Sequence, residues 1–467
     1  MTDADTSVRS SRGLAVRRGW IPRVPELVGA VLAAALVVAA VVVARRRNEV
    51  VTPLLDGMGF TFDDFAALAP LFGQWGAHVG PGTPVAVVVG VLVVIAGPSV
   101  ASRLSWWPLM ASAWAASLVW IVGLAAVDGW QQGFVDRLTS RDEYLSEVGG
   151  IDDIGAMLRG FSDRIVDGQA DSWATHVSGH PPGAILTFVW LDRLGLGGGA
   201  AAAWLCVIVG SSAAVATAVA VAALVGRDRA RRLVPFAVVA PSAIWIGVSA
   251  DGFFTGVSAW GVALLAVAAA GRSPRHDAAA AAAAGVLLGF SVYLNYGLTL
   301  MALPAVAVLI ASRRVRPLIP AVGGALVVAA VFTASGFWWF DGYVAVQERY
   351  WQGIASARPF QYWSWANVAA LVCAVGLAVP AALSRVVSLP RLRRAEPVTL
   401  LVAAALLAVA FADLSRLSKA ETERIWLPFQ VWLTVATVSI GDRSVRFWLT
   451  AQVALALAIN HLTYTNW

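Results

Sequence analysis

Apolar runs, each close to the length that crosses a bilayer, follow one another along most of this chain, and arginine-rich turns separate many of them. A spanning helix needs about 20 apolar residues, and lipid satisfies no exposed backbone group, so runs of this kind fold as membrane helices. With 59% hydrophobic and only 13% charged residues in 467, the chain lies outside the range of soluble domains. It reads as an all-α polytopic membrane protein. The net charge of +6 sits mostly in arginine clusters between apolar runs. Positive-inside topology accounts for such clusters better than nucleic-acid binding does, and no nucleic-acid partner is expected.

In chain order, residues 1–24 form a polar tail carrying Arg9, Arg12, Arg17, Arg18 and Arg23, expected in the cytoplasm. Residues 25–467 then form one transmembrane domain. The first apolar run, 27–44, ends on Arg45, Arg46 and Arg47 rather than on a small-residue cleavage site, so it is expected to remain as a helix. Segment 48–82, with FDDF at 62–65 and His78, is expected to form short helices at the membrane surface. Helices follow at 84–101 and 108–127, joined by a turn holding Arg103. Residues 184–196 are apolar but too short to span, and a helix lying at the outer interface there keeps the arginines of 227–232 inside. The remaining spans fall at 200–225, 233–249, 253–271, 278–294, 297–312, 317–335, 364–384, 398–412, 427–441 and 447–463, about thirteen in all. Every second junction is basic. The others are Ala250–Asp251–Gly252, Asn295–Tyr296, 336–363 and 413–426. Cys206 and Cys373 lie inside apolar runs and read as core residues. No convincing internal repeat is present, which counts against an inverted-repeat transporter.

One polar stretch, 128–183, interrupts the apolar pattern, within a main loop that runs to 199. It holds ten carboxylates, RDEYL at 141–145 and HVSGHPPG at 176–183. Stray charge in lipid is costly, so this loop belongs in water or a polar cavity. A general base needs one carboxylate within hydrogen-bond reach of the hydroxyl it activates, and Asp142, Glu143 and Asp128 are the candidates; any one of them can equally be a solvated acid. His176 and His180 precede a helix opened by Pro181–Pro182, whose amino terminus attracts anions. That segment can also be simply a rigid turn, and with no compact third ligand a metal site is not expected. Lys419, Glu421, Glu423 and Arg424 stand before another proline-containing helix, where Arg424 is suited to phosphate or to an ion pair with Glu421 or Glu423. Trp338, Trp339, Trp351 and Trp363, with Arg349 and Arg358, suit either an aromatic belt or a sugar platform.

The acid pair with Tyr144, the HPP motif opening an interfacial helix, and a small-residue helix ending in a basic turn together resemble the multi-spanning GT-C glycosyltransferases. The likeness is closest to the protein O-mannosyltransferase and aminoarabinose transferase branch and its actinobacterial relatives, and covers roughly 108–300. It implies an enzyme that takes sugar from a polyprenyl-phosphate carrier on the outer face, with a first-loop carboxylate near the catalytic centre. Asp142 and Glu143 match the acid pair. His180 matches the residue before Pro-Pro, which is lysine in the better-known branch, and Arg424 matches a later phosphate contact by position. Two apolar helices precede the one that should be first, and the acid pair lies more than ten residues beyond the helix end, so Asp128 stays in contention.

The implied enzyme is an inverting, multi-pass plasma-membrane glycosyltransferase with no cofactor. Its donor is a polyprenyl-phosphate mannose or arabinofuranose, and its acceptor an outer-leaflet glycolipid or a cell-envelope polysaccharide. His180, His176, Lys419 and Arg424 are its phosphate candidates; Tyr144, Arg349, Arg358, Trp351 and Glu421 are its substrate candidates. A lipid or polysaccharide transporter, or an envelope polymerase or ligase using lipid-diphosphate sugars, is the alternative.

Overall fold

The first apolar run folds as α1 (Val24–Arg46), with Pro25 in its first turn and the carboxylate of Glu26 accepting from the Arg23 amide at 3.2 Å. This is a computed structural model, and it describes residues 20–47, 67–271 and 273–465. A short strand β1 (Gly73–Trp75) leads into α2 (Thr83–Arg103) and α3 (Trp106–Ala125). Beyond the polar loop come α4 (Gly183–Arg193), α5 (Gly199–Val225), α6 (Arg227–Val238), α7 (Ala250–Ala270) and α8 (Pro274–Leu294). Then follow α9 (Ala302–Ser312), α10 (Leu318–Ala334), α11 (Trp339–Gln352), α12 (Phe360–Val375) and α13 (Ala378–Val386). The chain closes with α14 (Pro397–Leu414), α15 (Leu427–Leu433), α16 (Val445–Leu462) and strand β2 (Thr463–Thr465).

The architecture is all-α and polytopic, as expected, and fewer than thirteen of its helices have the full length of a span. Among the described residues, eight helices are long and apolar enough to cross a membrane. Ten are, if the pairs α10–α11, bent by 76°, and α12–α13, bent by 103°, each count once. Three expected spans are broken or short. Run 233–249 divides into α6, which contains Pro235, a turn after Pro241, and a four-residue helix at Ala243–Ile246. Proline carries no N–H and closes off the helix that precedes it. Runs 297–312 and 427–441 become short helices, Tyr296–Ser312 and Leu427–Ser439. The described part of 48–82 also departs from expectation: β1 pairs antiparallel with β2 in place of surface helices. FDDF, like the tail up to residue 19, lies outside the described residues.

Small residues bring the helices together. A Cβ at Gly285 of α8 would fall 1.8 Å from the Ala321 carbonyl of α10, and one at Gly324 would fall 2.2 Å from that of Ala282. Without a hydrophobic force between helices in lipid, such close backbone approach supplies much of the packing energy.

The two ends of the bundle differ in chemistry. At one, Arg229 and Arg391 meet Glu396 at 3.7 and 3.1 Å, and Arg385 meets the fully buried Glu26 at 3.1 Å. At the other, the polar loops converge. Arg349 of α11 pairs with Asp167 at 2.5 Å, and the Lys419 amide donates to Tyr350 Oη at 3.0 Å. Helix α1 joins the two ends, with Glu26 at the first and the Ala40 carbonyl accepting from Tyr362 near the second. The arginine turns of 227–232 and 385–394 therefore share one end, and 128–183, 336–363 and 413–426 share the opposite one.

Candidate active site

Local turns decide where the acid pair points. Asp142 is 52% exposed, and its carbonyl accepts from both the backbone amide and Nδ1 of His176 at 2.9 and 2.8 Å. Its carboxylate accepts from the Thr175 hydroxyl at 3.0 Å. Glu143, one residue on, is 8% exposed and turns inward, because adjacent side chains diverge around the backbone. Asp142 thus holds His176 through its main chain, and Glu143 enters the buried cluster.

Arg424 stands at the centre of that cluster. Its Nη1 lies 3.8 Å from Glu143 Oε1, and its Nε lies 3.4 Å from Asp251 Oδ2 at the start of α7. Its Nη2 meets His176 Nε2 at 3.0 Å. A guanidinium is only a donor, so Nε2 of His176 accepts and Nδ1 carries the hydrogen towards the Asp142 carbonyl and Glu143, 3.4 Å away. These ion pairs run to Glu143 and Asp251, from distant parts of the chain. Of the two partners adjacent in sequence, Glu421 pairs with Arg358 at 2.9 Å, and Glu423 accepts from the Phe72 amide at 2.7 Å.

The HPP motif seats α4 against α8. A Cβ at Gly183 would fall 2.5 Å from the Tyr293 carbonyl, so glycine is required for this approach. His180, just ahead, donates through Nδ1 to the His176 carbonyl at 2.7 Å, with Tyr144 Oη 2.9 Å from the same nitrogen. Burial pushes the His180 imidazole down to about 4, against the pull of Asp251, and it is uncharged at neutral pH. Burial also raises the Tyr144 phenol, helped by the negative charges of Asp251 and Glu143. A consequence follows for stability. The unfolded chain binds a proton at His180 that the folded chain refuses, so this contribution is whole above pH 6.5 and lost as pH falls towards 4. It amounts to at most about 3 kcal/mol. Unfolding of the wild type and His180→Gln at pH 7 and 4.5 should show the larger acid loss in the wild type; equal losses would contradict it.

No family model matches the chain, and no curated protein matches it either. Among solved structures, ArnT from Cupriavidus metallidurans in the apo state is similar at 15% identity and a TM-score of 0.43, over 70% of this chain and 60% of that one. The Archaeoglobus fulgidus oligosaccharyltransferase in complex with zinc and sulfate gives 11% and 0.40, over 74% and 51%. The oligosaccharyltransferase AglB of the same organism, with an inhibitory peptide and a dolichol-phosphate, gives 13% and 0.33, over 76% and 50%. The likeness is loose. The chain spans 60% or less of the length of these proteins.

A second cluster adjoins the first through segment 418–424. Lys419 Nζ donates to the Arg358 carbonyl at 2.7 Å and lies 4.5 Å from the centre of the Trp351 ring. Burial lowers the Lys419 ammonium, and the charges of Arg358 and Arg416 lower it further. Arg358 is 4% exposed, yet its Nε and Nη2 have no hydrogen-bond partner among the described residues. Buried donors without partners are rare in folded proteins. With Glu421 as its one paired carboxylate, this cluster carries an excess of positive charge, whereas Glu143, Asp251 and Arg424 together carry a net negative one. Arg349 links the two, donating to Ser178 at 3.2 Å from a helix that also carries Tyr350.

The backbone beneath is strained. Ala420 and Glu421 both have left-handed φ, 68° and 62°, without being glycine. Residues held this way cost about 1–3 kcal/mol each and persist where surrounding contacts over-determine them. Here Asn367, buried on α12, accepts from the Ala420 amide at 3.0 Å and donates to the Ser418 carbonyl and to Asp413 at 2.8 Å each. Glu423 is fully buried, and burial pushes its carboxyl up to about 7 against the Phe72 amide that accompanies it.

Asp128 sits elsewhere. Its two carboxylate oxygens pair with His78 at 2.9 Å and Arg137 at 2.6 Å, and Arg137 also donates to the Thr465 carbonyl. That arrangement ties the end of α3 to the strand pair. The sequence marks Asp251 only through its junction, one of the candidate functional ones, and gives Asn367 and His78 no role. Asp251 was visible as an acid in the first turn of an apolar helix, whereas Asn367 carried no local signal.

Proposed function

We propose that the protein is an inverting membrane glycosyltransferase that moves mannose or arabinofuranose from a polyprenyl-phosphate donor to a glycolipid or polysaccharide on the outer face. The observation that carries this reading is Glu143, a buried carboxylate oriented by Arg424 and His176 beside a cationic cluster with unpartnered donors. In the step proposed, the acceptor hydroxyl gives its proton to a Glu143 carboxylate oxygen as its own oxygen bonds to the anomeric carbon. The bond from that carbon to the phosphate oxygen breaks, and its electron pair leaves with the phosphate. Charge therefore grows on the phosphate in the transition state, where fixed cations stabilise it more than in the ground state. Arg358 and Lys419 have the spare positive charge for that end, since His180 is uncharged and Arg424 is flanked by two carboxylates. Arg349 reaches Ser178, and Trp351 stands beside Lys419.

The motif resemblance supports the same chemistry. The buried charges Glu26, Asp251 and Asp413 belong to the ends of α1, α7 and α14, whereas a transporter is expected to keep charge at mid-helix depth. The arginine-rich end supports a cytoplasmic placement for itself, with the polar loops outside. Purified protein in liposomes should transfer sugar from polyprenyl-phosphate mannose or arabinofuranose and not from a nucleotide sugar. Transfer from neither lipid donor would defeat the reading. For orientation, cysteines placed at 163 and 229 in cells should label from outside at 163 alone; labelling at 229 instead would reverse it.

A further inference from the structure

The arginine-rich end holds a cavity of about 270 Å³ lined by Arg229, Arg232, Arg385 and Arg391, with Glu396 the acidic residue of its wall. A second cavity adjoins it, sharing Arg391 and Glu396 and adding Arg313 and Arg394. These arginines come from α6, α13, the segment after α13 and the turn after α9, far apart in the chain. Positive-inside topology explains why arginines occur at this end. It does not explain why they converge on one concavity with a floor of Val386, Val398 and Val438.

The charges inside it do not balance. Arg385 is matched by Glu26, and Arg229 and Arg391 share Glu396. Arg232, Arg313 and Arg394 make no side-chain ion pair among the described residues, although like charges gathered in one concavity repel. A phosphate group answers such an arrangement, because guanidinium forks bind its oxygens in pairs and its charge relieves the repulsion. Basic pockets between membrane helices near the headgroup level take anionic lipid headgroups in this way. The valine floor suits the start of an acyl chain better than water does.

We propose that this end of the bundle carries a binding site for a phosphate anion, supplied by the headgroup of an anionic phospholipid. It is separate from the glycosyl-transfer site and does not rest on that reading. The test uses the full chain purified in detergent, given equal amounts of phosphatidylglycerol and phosphatidylcholine with matched acyl chains, with retained lipid read by native mass spectrometry. Phosphatidylglycerol should be retained in preference. Arg232→Gln with Arg394→Gln removes two charges that have no ion pair to lose, and should weaken retention about 30-fold. Arg103→Gln with Arg275→Gln removes two exposed charges outside the cavity and should leave retention near the wild type. Equal retention of the two lipids, no effect of the first double variant, or an equal effect of the second would overturn the site. A further arm adds inorganic phosphate: if millimolar phosphate displaces the lipid and raises the melting temperature as much, the anion is free phosphate and the lipid source is wrong.

Discussion

Replacing Glu143 with glutamine is expected to slow sugar transfer by about 100- to 10,000-fold, the usual contribution of a positioned general base. The amide keeps the shape of the side chain but cannot take the acceptor's proton. Arg424 keeps Asp251 as a carboxylate partner, so the cluster does not collapse, and the loss of stability should stay near about 1 kcal/mol. The donor should still bind, because the cationic cluster of Arg358 and Lys419 is untouched. Single-turnover transfer from a labelled polyprenyl-phosphate sugar, beside a melting curve, separates these effects. Glu143→Gln with near wild-type transfer would remove Glu143 from the chemistry.

The rival carboxylates answer differently. Asp142→Asn keeps the carbonyl that holds His176, and its side chain is half in solvent, so transfer should change only a few-fold. Asp128→Asn weakens the contacts to His78 and Arg137 that fasten the strand pair, so the protein should melt earlier while the folded fraction keeps its activity. The reverse pattern, with Asp128→Asn inactive but stable and Glu143→Gln active, would move the base to the end of α3.

How far these sites were legible depends on the range of the contacts that make them. The apolar runs and basic turns were readable because hydrophobic period and charge are local, and the loops they delimit do gather at opposite ends of the bundle. Whether an apolar run forms one unbroken helix was not readable where the chain turns at Pro241 inside 233–249, and where 427–441 folds as two short helical pieces. Inside the site, the RDEYL and HPP motifs were found, but not which member of the acid pair turns inward, since the Asp142–His176 contacts cross 34 residues. Arg424 was expected either on phosphate or beside Glu421 or Glu423, which are near in sequence; Asp251 and Glu143 reach it from much farther away. Asn367 is a single polar residue in an apolar run and Glu26 stands just ahead of one, and only tertiary structure reveals what they hold. The pairing of β1 with β2 spans nearly the whole chain and left no pattern in either segment.

Arg424→Gln distinguishes two roles for this arginine. With the guanidinium gone, Glu143 and Asp251 face each other across a buried site with no cation between them. Removing an opposite charge at this range disfavours the ionised form of a carboxylate by about 1–3 pH units. A protonated Glu143 cannot serve as base. Transfer at pH 7 should therefore fall about 100-fold, the acid limb of the pH–rate profile should move up by about 1–3 pH units, and activity should partly return at alkaline pH. If Arg424 instead grips the donor phosphate directly, KM for the donor rises and the acid limb stays where it was. Asp251→Asn supplies the complementary reading: it leaves Arg424 to Glu143 alone, so the acid limb should not rise. A rise in KM without a displaced limb in Arg424→Gln would transfer Arg424 to the phosphate and leave His176 as the partner that orients Glu143.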